Sequence, residues 1–116
     1  NALAALQKEA EVYSSLVGIA ASDLPVLSII RLNKILYQAE QKLTYGPGLP
    51  QRPWFRHTIY APGFYTGYGV KTLPGIREAI EQDKWKEAQE QIEIVARAID
   101  NYTQEVQAAS RLLMIR

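Results

Sequence analysis

The chain has 116 residues, 47% of them apolar and 22% charged, with a formal net charge of +1. That composition fits one soluble globular domain and gives no electrostatic case for nucleic acid. The absence of cysteine excludes disulfide staples and thiolate metal ligands, and the single histidine, His57, argues against a self-contained zinc site, which normally draws on several His or Cys ligands. No apolar run approaches the roughly 20 residues of a membrane span and no signal peptide opens the chain, so no membrane segment is expected. Asn1-Ala2 is compatible with an excised piece of something longer.

Leu3, Leu6, Ala10, Tyr13, Val17 and Ala20 alternate spacings of three and four, which lays them along one stripe of a first helix. Ala21-Ser22-Asp23-Leu24-Pro25 ends it and starts the next, with Ser22 or Asp23 as the cap and Pro25 in a first turn. The second helix carries Ile29, Leu32, Leu36, Ala39 and Leu43, widened by Val26, Leu27, Ile30 and Ile35. So broad an apolar surface needs two neighbours, or one neighbour and a partner chain. Gly46-Pro47-Gly48 stops this helix.

From Gly46 to Gly75 helical periodicity is absent. Five of the six prolines and six of the seven glycines fall in this stretch, together with His57 and a crowd of aromatic residues. A connection this long is usually functional or disordered, and disordered segments are poor in aromatics. An ordered, aromatic-pinned loop is therefore expected. Beyond it, Thr72-Leu73-Pro74-Gly75 opens a short third helix with Ile76, Ala79 and Ile80 inward, and Asp83-Lys84 marks a break or tight turn. Trp85, Ala88, Ile92, Val95, Ile99, Tyr102, Val106, Ala109 and Leu113 keep the helical alternation to the end. Thr58-Ile59-Tyr60 is the one candidate for a brief extended segment. The expected fold is all-α: a single domain over 1–116, an antiparallel up-and-down four-helix bundle with three long helices, one short one, and a long ordered loop between helices 2 and 3.

Three constellations carry chemistry on paper. Gly67-Tyr68-Gly69-Val70-Lys71-Thr72 has the flavour of a phosphate-binding loop, but Val70 stands where glycine must precede the lysine and no strand leads into it. His57 beside Arg56 lacks a nearby Ser, Cys or carboxylate to complete a catalytic set, and reads instead as a buried ring donating to a backbone carbonyl. Arg52 and Arg56 with Tyr60, Tyr65, Tyr68 and Lys71 could form one wall of an acidic-ligand pocket, since arginine grips carboxylates bidentately and tyrosine adds a neutral donor. The same aromatics could equally pack the loop onto the helices.

The run Gly48-Leu49-Pro50-Gln51-Arg52-Pro53-Trp54-Phe55-Arg56-His57-Thr58-Ile59-Tyr60-Ala61-Pro62, followed by Tyr68 and Leu73-Pro74-Gly75-Ile76, closely resembles the C-terminal domain of glutamate carboxypeptidase II-like zinc peptidases, the transferrin receptor-like dimerisation domain. The resemblance continues more weakly through the second and last helices. It implies a non-catalytic helical domain that forms a homodimer and lends its loop to the peptide or dipeptide substrate pocket of the parent's peptidase domain. It also implies two zinc ions in that peptidase domain, where metal-activated water attacks a peptide carbonyl. None of the family's zinc ligands, nor its catalytic glutamate, falls on this chain, which should hydrolyse nothing by itself. The family's Lys-Tyr pair, which contacts the terminal glutamate of the substrate, aligns with Gly67 and Tyr68. Tyr68 is thus the implied substrate contact, with Lys71, Tyr65 and Arg56 as weaker ones, and the lysine is missing. Two other readings stay open: a receptor-like binding module whose parent has lost its zinc ligands, and a free-standing self-associating bundle.

Overall fold

The computed structural model describes residues 1–20, 24–64 and 69–114. Helix α1 spans Ala2–Ala20 and opens with the Asn1 side chain accepting the Ala4 N–H at 2.9 Å, which satisfies one of the donors a helix start leaves bare. Helix α2 spans Val26–Ala39 and runs into a single 3-10 stretch, Glu40–Leu43. The caps expected at Ser22 or Asp23 lie outside the described residues. Pro25 holds the cap position of α2, and its carbonyl accepts the Ile29 N–H at 3.0 Å.

After the loop, α3 covers Pro74–Glu81 and α4 covers Trp85–Met114. Pro74 sits at the first position of α3, where its missing N–H costs nothing. The helix ends as the sequence implies. Asp83 takes a left-handed φ of 58°, the Lys84 N–H reaches the Ala79 carbonyl at 2.8 Å, and the Asp83 N–H reaches Ile80 at 3.1 Å. Those two bonds are the Schellman closure of a helix C-terminus, with aspartate in the place glycine usually holds.

The chain forms two compact units, Asn1–Lys42 with Ile99–Arg116, and Leu43–Ala98. In the first, Leu32, Ala109 and Leu113 make the buried core, with Tyr13, Leu16, Val17, Leu24, Ile35 and Leu112 packed around it. Two polar contacts border it: Lys42 faces Glu105 at 3.8 Å, and the Gln107 side chain donates to Glu9 at 3.3 Å. The opposite side of α2 is uncovered, with Val26, Leu27, Ile30 and Tyr37 exposed by 74, 59, 59 and 69%. Val26, Ile30 and Tyr37 recur at helical spacing and form one stripe. The surplus apolar surface read from this helix is therefore present, and nothing described in this unit covers it.

The second unit overturns the all-α expectation. Tyr60–Pro62 (β1) and Val70–Thr72 (β2) pair antiparallel, Tyr60 opposite Thr72, Ala61 opposite Lys71 and Pro62 opposite Val70. The fold is mostly helical, four helices with a small two-stranded sheet, and so is not purely α. The physical reason lies in length. Three-residue strands are too short to show the two-residue alternation that marks a strand in sequence, and they exist because each supplies the other's hydrogen bonds. Thr58-Ile59-Tyr60 anticipated β1 two residues early.

Inward faces also differ in detail. On α3 the buried residues are Pro74, Gly75, Glu78 and Ala79, while Ile80 is exposed and Ile76 half-buried. On α4, Ala88, Val95, Ile99, Ala109 and Leu113 are buried as expected, but Gln91 takes the inward place and Ile92 is 44% exposed. Gly75 explains the exchange at Gln91: a Cβ there would run into the Gln91 side chain, so glycine lets α3 approach α4 closely.

Candidate functional site

The loop is built in two tiers from local backbone bonds. In the lower tier the Tyr45 N–H donates to the Arg56 carbonyl at 2.8 Å, Leu49 to Phe55 at 2.9 Å, and Thr58 to Leu43 at 3.0 Å. Leu49-Pro50-Gln51-Arg52 closes on itself through the Arg52 N–H and the Leu49 carbonyl at 3.0 Å. Proline second and a positive φ of 66° at Gln51 third make this a type II turn. Gly48 has φ 80°, and a Cβ on it would meet the Pro53 backbone. Glycine is required there twice over.

The upper tier is the β1–β2 ribbon. It is extended by the Gly63 N–H donating to the Gly69 carbonyl at 3.1 Å and tied down by the Leu73 N–H to the Ile59 carbonyl at 2.6 Å. Leu73 itself adopts a left-handed φ of 47° at the start of α3, so the chain turns from ribbon to helix in one residue.

Between the tiers lies a buried charge cluster centred on Glu78. One carboxylate oxygen pairs with Nη2 of Arg52, and the side chains of this pair are only 9 and 7% exposed. The other oxygen accepts the Phe64 backbone N–H at 2.7 Å and lies 3.9 Å from the Lys71 ammonium. Arg52 also donates through Nη1 to the Pro62 carbonyl at 2.5 Å, and its guanidinium lies 5.8 and 5.5 Å from the ring centroids of Phe55 and Phe64. An arginine so placed gives both terminal nitrogens a fixed acceptor and lies near two aromatic faces, while its buried Nε has no hydrogen-bond partner among the described residues. Lys71 donates to Glu81 at 2.7 Å, and that bond holds the exposed Glu81 carboxyl below its ordinary value. Arg52, Phe64, Pro74 and Glu78 also border an open depression with room for little more than a water molecule.

Of the residues singled out from the sequence, Tyr65, Gly67 and Tyr68 lie outside the described residues, while Arg52 and Lys71 both approach Glu78. Arg56 is exposed, its carbonyl used by Tyr45. Lys71 is half-buried and ion-paired, and Arg52 points inward to Glu78. His57 departs from the expected donor role: its Nδ1 accepts the N–H groups of Ile59 and Tyr60 at 3.2 and 3.4 Å, and its ring stacks on Tyr60 at 4.2 Å. Glu78 is the residue that reading by pattern passes over. Its signal was there: with Pro74 four residues before it, Gly75 three before it and Ala79 next to it, it occupies the inward stripe of α3. Among the described residues no group of three or more His, Cys, Asp or Glu is gathered to hold a metal, and no helix is long and apolar enough to cross a membrane.

Comparison with known proteins places this architecture. The family model described as the transferrin receptor-like dimerisation domain matches residues 1–107. Over 80 residues the chain is 42% identical to an Arabidopsis thaliana protein named "Probable glutamate carboxypeptidase LAMP1", an alignment covering 63% of this chain and 12% of that one. Over 52 residues it is 44% identical to a "Probable glutamate carboxypeptidase" of Arthroderma benhamiae, covering 45% of this chain and 7% of that one. It is 31% identical over 75 residues to TRE2 of Saccharomyces cerevisiae, named provisionally as a zinc metalloprotease, covering 58% of this chain and 9% of that one. The chain thus spans 12% or less of the length of each of these relatives.

Proposed function

This chain belongs to the transferrin receptor-like dimerisation domain family, and from that premise we propose that it is the non-catalytic self-associating part of a zinc-dependent carboxypeptidase- or dipeptidase-like parent. The observation that carries the self-association is the uncovered apolar stripe of α2, Val26, Leu27, Ile30 and Tyr37. A contiguous apolar face on a domain of this size is what an interface presents, and a homodimer lays the same face on both partners. The names of the matched relatives support a peptidase parent. The two zinc ions of such a parent belong to its peptidase domain; the zinc metalloprotease among the matched relatives supports zinc in the parent.

The 46–75 loop contributes to the substrate pocket of that peptidase domain, with Tyr68 touching the bound peptide or dipeptide. Support comes from the family match, which spans the loop, and from the alignment of Tyr68 with the family's tyrosine.

Two measurements test these statements. Ile30→Lys in the intact parent should shift sedimentation from dimer to monomer with helicity unchanged; a persisting dimer removes α2 from the interface. Tyr68→Phe should raise KM with zinc content unchanged, and an unaltered KM removes Tyr68 from the site.

A further inference from the structure

We infer that Asn101 is an N-glycosylation acceptor, and that this domain of the parent therefore enters a secretory lumen as it is made. The inference stands apart from the dimer and pocket readings. Asn101-Tyr102-Thr103 is an Asn-x-Thr triplet with no proline in the middle, and neither of the other asparagines, Asn1 and Asn33, has Ser or Thr two places on. The structure puts Asn101 where a glycan can stand. It is exposed on α4, and Arg97, Asp100 and Gln104 on the same side of the helix are exposed and polar. A bulky, hydrated glycan on such a face displaces no apolar contact.

The make-up of the triplet is the second observation. Asparagine and threonine both form helix poorly, yet both stand in the interior of a 30-residue helix. Thr103 is 4% exposed, and its hydroxyl donates back to the Ile99 carbonyl at 2.9 Å. Such a bond adds little to a helix, and valine or alanine would fill the place with no hydroxyl to satisfy. Packing thus does not ask for the hydroxyl, nor does the helix ask for the amide. An acceptor triplet asks for both.

The geometry also sets the order of events. Transfer joins Nδ2 of Asn101 to the anomeric carbon of an oligosaccharide carried on a polyprenyl diphosphate. The bond from that carbon to the diphosphate oxygen breaks, polyprenyl diphosphate leaves, and the amide proton passes to a base of the transferring enzyme. That enzyme reads the hydroxyl two places beyond the asparagine, and in the folded helix this hydroxyl is buried and bonded. Modification therefore precedes the folding of α4, and the finished helix carries the glycan outward.

The test uses the intact parent isolated from the cells that make it. Trypsin cuts after Arg97 and Arg111 and yields Ala98–Arg111, in which Asn101 is the single asparagine. Mass spectrometry should find this peptide bearing a glycan, and peptide N-glycosidase in heavy-oxygen water should release the glycan and leave labelled aspartate at position 101. Recovery of the unmodified peptide alone overturns the inference. Thr103→Ser and Thr103→Ala, made in the same cells, tell N-linked transfer from an unrelated adduct. The glycan should persist in the first and vanish in the second, and a glycan retained in Thr103→Ala overturns the assignment. Should the Thr103 variants fail to fold, Asn101→Gln changes only an exposed side chain. It should lower the mass of the parent by one glycan, and a mass that still carries every glycan of the wild type overturns the inference.

Discussion

Removing Glu78 and removing Arg52 should not be equivalent, and the asymmetry can be worked out from their partners. In Glu78→Leu the Arg52 guanidinium stays buried with the Pro62 carbonyl as its remaining hydrogen-bond acceptor, while the Phe64 N–H loses the carboxylate. Stranding one member of a buried pair costs about 3–5 kcal/mol, against a total stability of roughly 5–15 kcal/mol for a domain. In Arg52→Met the carboxylate keeps the Phe64 N–H at 2.7 Å and the Lys71 ammonium at 3.9 Å. That loss should fall lower, about 2–3 kcal/mol. The double variant strands no charge and leaves the unmade bonds at Phe64 and Pro62, worth about 1–3 kcal/mol. The singles therefore exceed the double by several kcal/mol when added, far outside the ~0.5 kcal/mol within which independent sites add. Urea denaturation followed by far-UV circular dichroism measures all four corners of the cycle, and exchange of the Phe64 amide reports the local loss. Additive singles, or an Arg52→Met loss equal to that of Glu78→Leu, would show the cluster is not coupled as described.

Other expectations follow from single positions. Gly48→Ala meets both a left-handed backbone and the Pro53 main chain, neither of which yields, so chemical denaturation should register a loss beyond the ~1–2 kcal/mol of the conformational penalty alone. Asp83→Gly should act in the opposite sense, raising stability by a few tenths to about 1 kcal/mol, because glycine suits the left-handed residue that closes α3; a lower denaturation midpoint would count against the Schellman closure. The Glu81 carboxyl is held low by its bond to Lys71. A folded-state value below the unfolded one means that the contribution is present above the ordinary carboxylate range and is lost as pH falls through the lowered value. NMR titration of Glu81 should thus give a midpoint below that of a free glutamate, rising again in Lys71→Met, and an ordinary midpoint in the wild type would contradict the ion pair.

Much of this protein is legible along the chain because the relevant physics is local. Three- and four-residue spacing placed all four helices, Pro74 marked the start of α3, and Asp83-Lys84 marked its end. The dense proline, glycine and aromatic content of 46–75 identified the loop, and its motif identified the family. What tertiary structure alone decided involves partners far apart in sequence. Tyr60–Pro62 becomes a strand only because Val70–Thr72 lies beside it. Glu78 turns inward, displacing Ile80 from the expected face, because Arg52, 26 residues earlier, and the Phe64 N–H wait there for a carboxylate. No periodicity encodes such a pairing: a hydrophobic stripe reports what avoids water, whereas a buried charge takes its place from the groups that neutralise it.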